Sequence, residues 1–199
     1  MKSTAYYALV LLVATMMLAI FPTDAEAKIY EDTIRLHILA NSDSVNDQEI
    51  KIKIRDRLLI KYGDLLSGSQ SFAEAKDEIY SLLPIIEKDA KEWLKDLGYD
   101  YEARATLTTE WYETREYESF TLPCGYYTSL RLIIGEGEGQ NWWCVMYPPL
   151  CMEIASESAP TDDGVIDYSK EELTLIKSGK YNIKFKILED LSRVFAKNG

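Results

Sequence analysis

The hydrophobic period of this chain switches from two to about four, back to two, and then to about four again. Ile34, Leu36 and Ile38 alternate with Arg35 and His37, the spacing of a half-buried strand, and Lys28–Asn41 reads as that strand. Asn41-Ser42-Asp43 breaks it. Ile50, Ile54, Leu58, Tyr62 and Leu65 then recur at helical spacing, with Ser44 and Asp47 placed to cap the helix. Gly63–Ser71 reads as a loop. A second helix opens at Ser71 with Glu74 in the capping position. Pro84 either kinks it or starts a fresh helix, and Gly98 stops it. Period two returns at Tyr101–Glu110, Glu116–Leu122, Tyr127–Ile134 and Asn141–Tyr147, the last two forming a hairpin around 135–140. A final helix is expected over Lys184–Ala196. This order predicts one α+β domain: an antiparallel sheet of about four to five strands with helices packed against it.

The first 27 residues stand apart from that domain. Lys2 gives a basic start, Ala8–Phe21 is apolar apart from Thr15, and Ala25-Glu26-Ala27 has the small-x-small pattern of a cleavage site. Together these mark a secretory signal over 1–27, the alternative being an uncleaved anchor. The apolar stretch is shorter than the roughly 20 residues that span a bilayer. Residues 28–199 then form the domain, with a mobile acidic loop near 155–164. Removing Lys2, Asp24 and Glu26 takes 22 basic and 33 acidic residues to 21 and 31, a net charge of −10. So acidic a surface repels nucleic acid and anionic lipid, and no second stretch is long enough for stable membrane insertion.

Few residues here carry catalytic chemistry. His37 is the one histidine, too little for a metal site with the three distant cysteines, and its place in the strand explains it. No cofactor is implied. Glu136 and Glu138 sit on a Gly-rich loop that lacks the ending of a phosphate loop; it reads as a solvated hairpin tip or a protruding recognition loop. Trp142 and Trp143 point to opposite faces of their strand, so one joins the core and the other needs cover from this chain or a partner. Asn41 and Asp43 lie just before a helix N-terminus, with Asn141 opening the tryptophan strand. Cys144 and Cys151 flank Pro148-Pro149, which can fold the chain back to join them; equally, Cys124, Cys144 and Cys151 can serve as small buried hydrophobes.

Two stretches resemble a known family. One is Ile34-Arg35-Leu36-His37-Ile38-Leu39-Ala40-Asn41-Ser42-Asp43-Ser44, continuing through Asp47-Gln48 and Lys51–Asp56. The other is Leu122-Pro123, Gly125, Tyr127, Leu130-Arg131 and Ile134-Gly135-Glu136-Gly137, running into Asn141-Trp142-Trp143-Cys144 and Pro148-Pro149-Leu150-Cys151. Both resemble stage II sporulation protein R of endospore-forming bacteria. The resemblance implies a signal made in the forespore and exported into the intermembrane space. There it triggers a membrane-embedded aspartic protease of the mother cell, stage II sporulation protein GA, which cuts the sigma-E precursor. It brings no catalytic residues to carry over. Cys124 stands where the family pattern has a small residue, which implies Cys124 as the unpaired thiol and Cys144 with Cys151 as the pair. The contacts expected with the protease are Trp142 or Trp143, the Glu136–Glu138 loop and the Asn41–Asp43 turn, with His37 and Asn141 beside them. The residues alone leave other classes open: a secreted hydrolase of cell wall or peptide using His37 or a carboxylate as base, or a structural wall module.

Overall fold

The structure, a computed structural model, describes residues 2–18, 24–66, 68–69, 71–117, 120–148 and 168–177. The expected loop at 155–164, the helix at 184–196 and Cys151 lie outside these residues. The chain divides into two compact units. The first comprises Tyr30–Glu110 and Tyr126–Asp167; the second comprises Met1–Ile29, Trp111–Gly125 and Tyr168–Gly199.

In the second unit, helix α1 (Lys2–Leu18) carries the apolar stretch, and its residues Leu9–Val13 are 48–68% exposed. No helix among the described residues is long and apolar enough to cross a membrane. Helix α2 (Asp24–Glu31) follows and runs into the first unit. It overturns the strand reading of Lys28–Glu31: the alternation that supports a strand begins only at Ile34, and Ala, Glu and Lys before it favour helix. The expected strand over Glu116–Leu122 is instead a small antiparallel ladder of β3 (Arg115–Glu116) and β4 (Thr121–Leu122), with Tyr117 stacked on Phe120. Helix α5 (Lys170–Lys177) packs on β4 and is closed by a reciprocal capping box between Ser169 and Glu172.

The first unit holds the α+β architecture. Strand β1 (Ile34–Leu39) leads through a tight turn into α3 (Val45–Leu66), whose Asp47 amide is capped by the Ser44 hydroxyl at 3.1 Å. Helix α4 (Phe72–Asp96) opens on Ser71, which accepts from the Glu74 amide at 3.2 Å. Pro84 does not divide it. Ile79, Ile86, Ala90 and Leu94 form one buried stripe running past the proline, and that burial holds the helix together. Gly98, at φ +87°, ends it, with the Tyr99 amide returning to the Leu94 carbonyl. The two helices are locked by Asp89, which accepts from the Tyr62 hydroxyl and the Lys61 ammonium.

Strands β2 (Ala103–Tyr112), β5 (Gly125–Ile134) and β6 (Asn141–Tyr147) complete a four-stranded sheet in the order β2-β5-β1-β6. The sheet is mixed, a correction to the antiparallel expectation: β1 runs parallel to β5 and antiparallel to β6. Nor do β5 and β6 form a hairpin. Strand β1 lies between them, so the Gly-rich loop passes over the end of β1. Sequence alternation identifies strands but not which neighbour they choose.

Paired residues share a face. Leu36 lies with Leu130 and Cys144, and Ile38 with Leu132 and Trp142, on the face covered by α3. Ile50, Ile54 and Leu58 of α3 are buried there. Each such side chain contributes about 1.5–3 kcal/mol on leaving water.

Candidate functional site

The other face of the sheet is polar. The alternation of β1 makes Arg35 and His37 the wet side of a half-buried strand, yet they are 0% and 5% exposed. As the third of four strands, β1 has its outward residues flanked on both sides by side chains from β5 and β6. Arg35 donates through Nε to the Cys144 carbonyl at 3.2 Å and lies over the Tyr127 ring at 5.0 Å.

His37 sits at the centre of a cluster. Its Nδ1 is 2.9 Å from Glu110 Oε2, its Nε2 is 2.9 Å from Asn141 Oδ1, and its ring stacks on Trp143 at 3.7 Å and 22°. Glu110 also meets Arg131 Nε at 3.5 Å. Burial pushes the Glu110 carboxyl up, but the His37 hydrogen bond and charge, with Arg131 and Ser129, outweigh it and hold the group below its ordinary range. Trp142 is on the opposite face, beneath Arg55 of α3 at 4.7 Å. The chain itself therefore covers both tryptophans in part.

The strand order forces the second half of the site. To reach β6 from β5, residues 135–140 must cross the turn that follows β1. Every backbone N–H on that crossing has an acceptor. Gly135 donates to the Glu102 carbonyl, Glu136 to Asn41 Oδ1, Gly137 to the Ile134 carbonyl, Glu138 to the Asn41 carbonyl, Gly139 to the Ala40 carbonyl, and Gln140 to Asp43 Oδ1. The glycines are there for closeness. A Cβ on Gly135, whose φ is +60°, would come within 2.2 Å of Asn41 Oδ1, and one on Gly139 within 2.3 Å of the Ser42 carbonyl oxygen. The expected solvated tip is thus a fastened clasp. Glu136 and Glu138 remain exposed on it.

Asp47 anchors the clasp from below. Its carboxylate accepts from Asn41 Nδ2 at 2.9 Å, Ser42 Oγ at 2.6 Å and the Tyr101 hydroxyl at 3.0 Å. Burial raises its pKa, and the hydrogen bonds from Ser42, Asn41, Tyr101 and Ser44 more than reverse that, leaving it below the usual carboxylate range. The buried Lys51 ammonium donates to Gln48 Oε1 at 2.6 Å and to the Gln140 carbonyl at 2.7 Å. Burial, aided by the Arg55 charge, lowers its pKa despite the nearby Asp43.

The structure so brings His37, Asn141 and Trp143 into one cluster, and Asn41, Asp43, Glu136 and Glu138 into the adjoining clasp. Trp142 belongs to neither. Sequence reasoning missed Glu110, Arg131, Tyr101 and Lys51. Glu110 had a faint signal, as the carboxylate closing the polar half of a strand alternation. Both His37 ring nitrogens are engaged, so a role as general base would first need one of those bonds broken. Among the described residues no group of three His, Cys, Asp or Glu is placed to hold a metal. Cys144 is buried and disulfide-bonded, and Cys124 is buried outside any disulfide. The arrangement suits recognition: a fastened loop that presents two exposed carboxylates, on the same unit as a half-buried tryptophan.

The sequence matches the family described as stage II sporulation protein R over residues 30–157, which includes the whole cluster and clasp. It is 37% identical over 163 residues to stage II sporulation protein R of Bacillus subtilis (strain 168), covering 81% of this chain and 68% of that protein. No solved structure matches.

Proposed function

The chain belongs to the stage II sporulation protein R family, and on that premise we propose that it is an exported signal of endospore formation. Released from the forespore into the intermembrane space, it binds the extracytoplasmic part of the membrane-embedded aspartic protease, stage II sporulation protein GA. Binding favours the protease's active state, which then cuts the sigma-E precursor. Such a ligand shifts the equilibrium only by the difference in its affinity for the two states. A surface held in one shape before contact spends less of that affinity on ordering.

The observation that carries this reading is the clasp, whose six bonded N–H groups fasten the backbone that carries Glu136 and Glu138. Fixing the loop in advance removes an ordering cost from association. Export is supported by α1, whose residues Leu9–Val13 stay exposed instead of joining a core, as suits a leader that is removed. The engaged nitrogens of His37 speak against that residue as the base in the hydrolase alternative.

The test is reconstitution. The exported chain, the protease and the sigma-E precursor are produced together in a host without other sporulation proteins. Cleavage of the precursor should require all three, and should stop when residues 1–27 are deleted so that the chain stays inside. Efficient export without cleavage would contradict direct activation.

A further inference from the structure

At the opposite end of the strands from the clasp lies a cleft of about 550 Å³ that the reading above does not use. Its walls include Tyr30 and the carboxylate residues Glu31 and Asp32 before β1, Phe72 at the start of α4, Thr109 of β2, and Tyr126 of β5. Tyr126 is 65% exposed, although the strand residues on either side of it are buried. Tyr30 is held edge-on against Tyr127 at 5.1 Å, so this wall is fixed.

We propose that this cleft binds a cationic side chain, arginine or lysine, presented by a partner polypeptide. Three aromatic residues and two carboxylate residues line the cleft together, the combination of groups that holds a cation. The hydroxyl of Thr109 adds a hydrogen-bond acceptor suited to a guanidinium. The Phe72 ring already draws a cation from this chain, Lys76 Nζ, to 6.0 Å. The exported chain, with 21 basic and 31 acidic residues and a net charge of −10, attracts the same class of partner at long range. The inference is independent of the protease reading, because binding is measured without a protease.

The experiment titrates the exported chain with a blocked Gly-Arg-Gly peptide and with its citrulline counterpart, which keeps the shape and loses the charge. Amide shifts are followed throughout. The arginine peptide should give saturable shifts confined to residues 30–32, 71–73, 109 and 126–128. The citrulline peptide should bind at least fivefold more weakly, and so should arginine to Glu31→Gln, a change at an exposed position. Raising the salt concentration should weaken arginine binding. Equal binding of the two peptides, shifts centred elsewhere, or unchanged affinity in a folded Glu31→Gln protein would each overturn the proposal.

Discussion

On one face of the sheet Leu36 and Ile38 pack with Leu130 and Leu132 beneath α3; on the other, Arg35 and His37 of the same strand meet Ser129, Arg131, Glu110 and Trp143. All six residues of β1 are buried. The difference lies in what each group requires. A leucine on the helix face needs only volume, which several residues can fill. A polar side chain on the second face needs a particular partner at a particular distance, because an unmatched buried donor or acceptor costs about 1–3 kcal/mol. The polar face and its clasp are therefore the more sharply specified part of the unit. Stability rests more on the apolar face.

That contrast is broken most easily from the apolar side. Leu58→Ala removes a fully buried side chain of α3. It should cost about 2–5 kcal/mol in urea unfolding, with signalling falling only as far as the folded fraction falls. Gly135→Ala is next. A left-handed backbone and a clash with Asn41 together should cost about 2–3 kcal/mol, and here signalling should fall further than the loss of folded protein explains.

Asp47→Asn should cost about 1–2 kcal/mol at neutral pH. It also sharpens the comparison through pH. The folded-state pKa of Asp47 is depressed, as are those of Asp89 and Glu110. Their contribution is present above the ordinary carboxylate range near pH 4 and is lost as pH falls through the lower folded values. The wild-type protein should therefore lose stability on acidification below about pH 4, and Asp47→Asn should show a shallower loss. The smallest expected change in stability comes from Glu136→Gln with Glu138→Gln, within about 0.5 kcal/mol because both side chains are exposed. Precursor cleavage should nonetheless drop by tenfold or more, and normal cleavage by a stably folded double variant would detach the clasp from function.

Helices α3 and α4 were legible because each carries both signals a sequence can carry, a stripe at helical spacing and a capping residue; α2, which reads as strand at Lys28–Glu31, and α5 were not foreseen. Ser44 and Ser71 cap as their positions suggest. The strands were legible as strands. Their order was not, since nothing local in β5 or β6 records that β1 comes between them. From that gap two further errors follow. With a hairpin assumed, glycines 135, 137 and 139 look like flexibility, whereas the actual crossing needs them for close approach to Asn41 and Ser42. With β1 taken as half-buried, Arg35 and His37 look wet, whereas the neighbouring strands bury them. The candidate residues were found individually as unusual polar or aromatic positions. Their partners Glu110, Arg131 and Tyr101 come from distant segments, and only the sheet brings them near.

The central claim is that the clasp is the face that meets the protease. A photo-crosslinking amino acid placed at position 138 of the exported chain in sporulating cells tests it directly, with the same group at Tyr80, exposed on α4, as the reference. The account predicts an adduct with the protease from position 138 and none from position 80. An adduct from position 80 alone would place contact on the helices and contradict it.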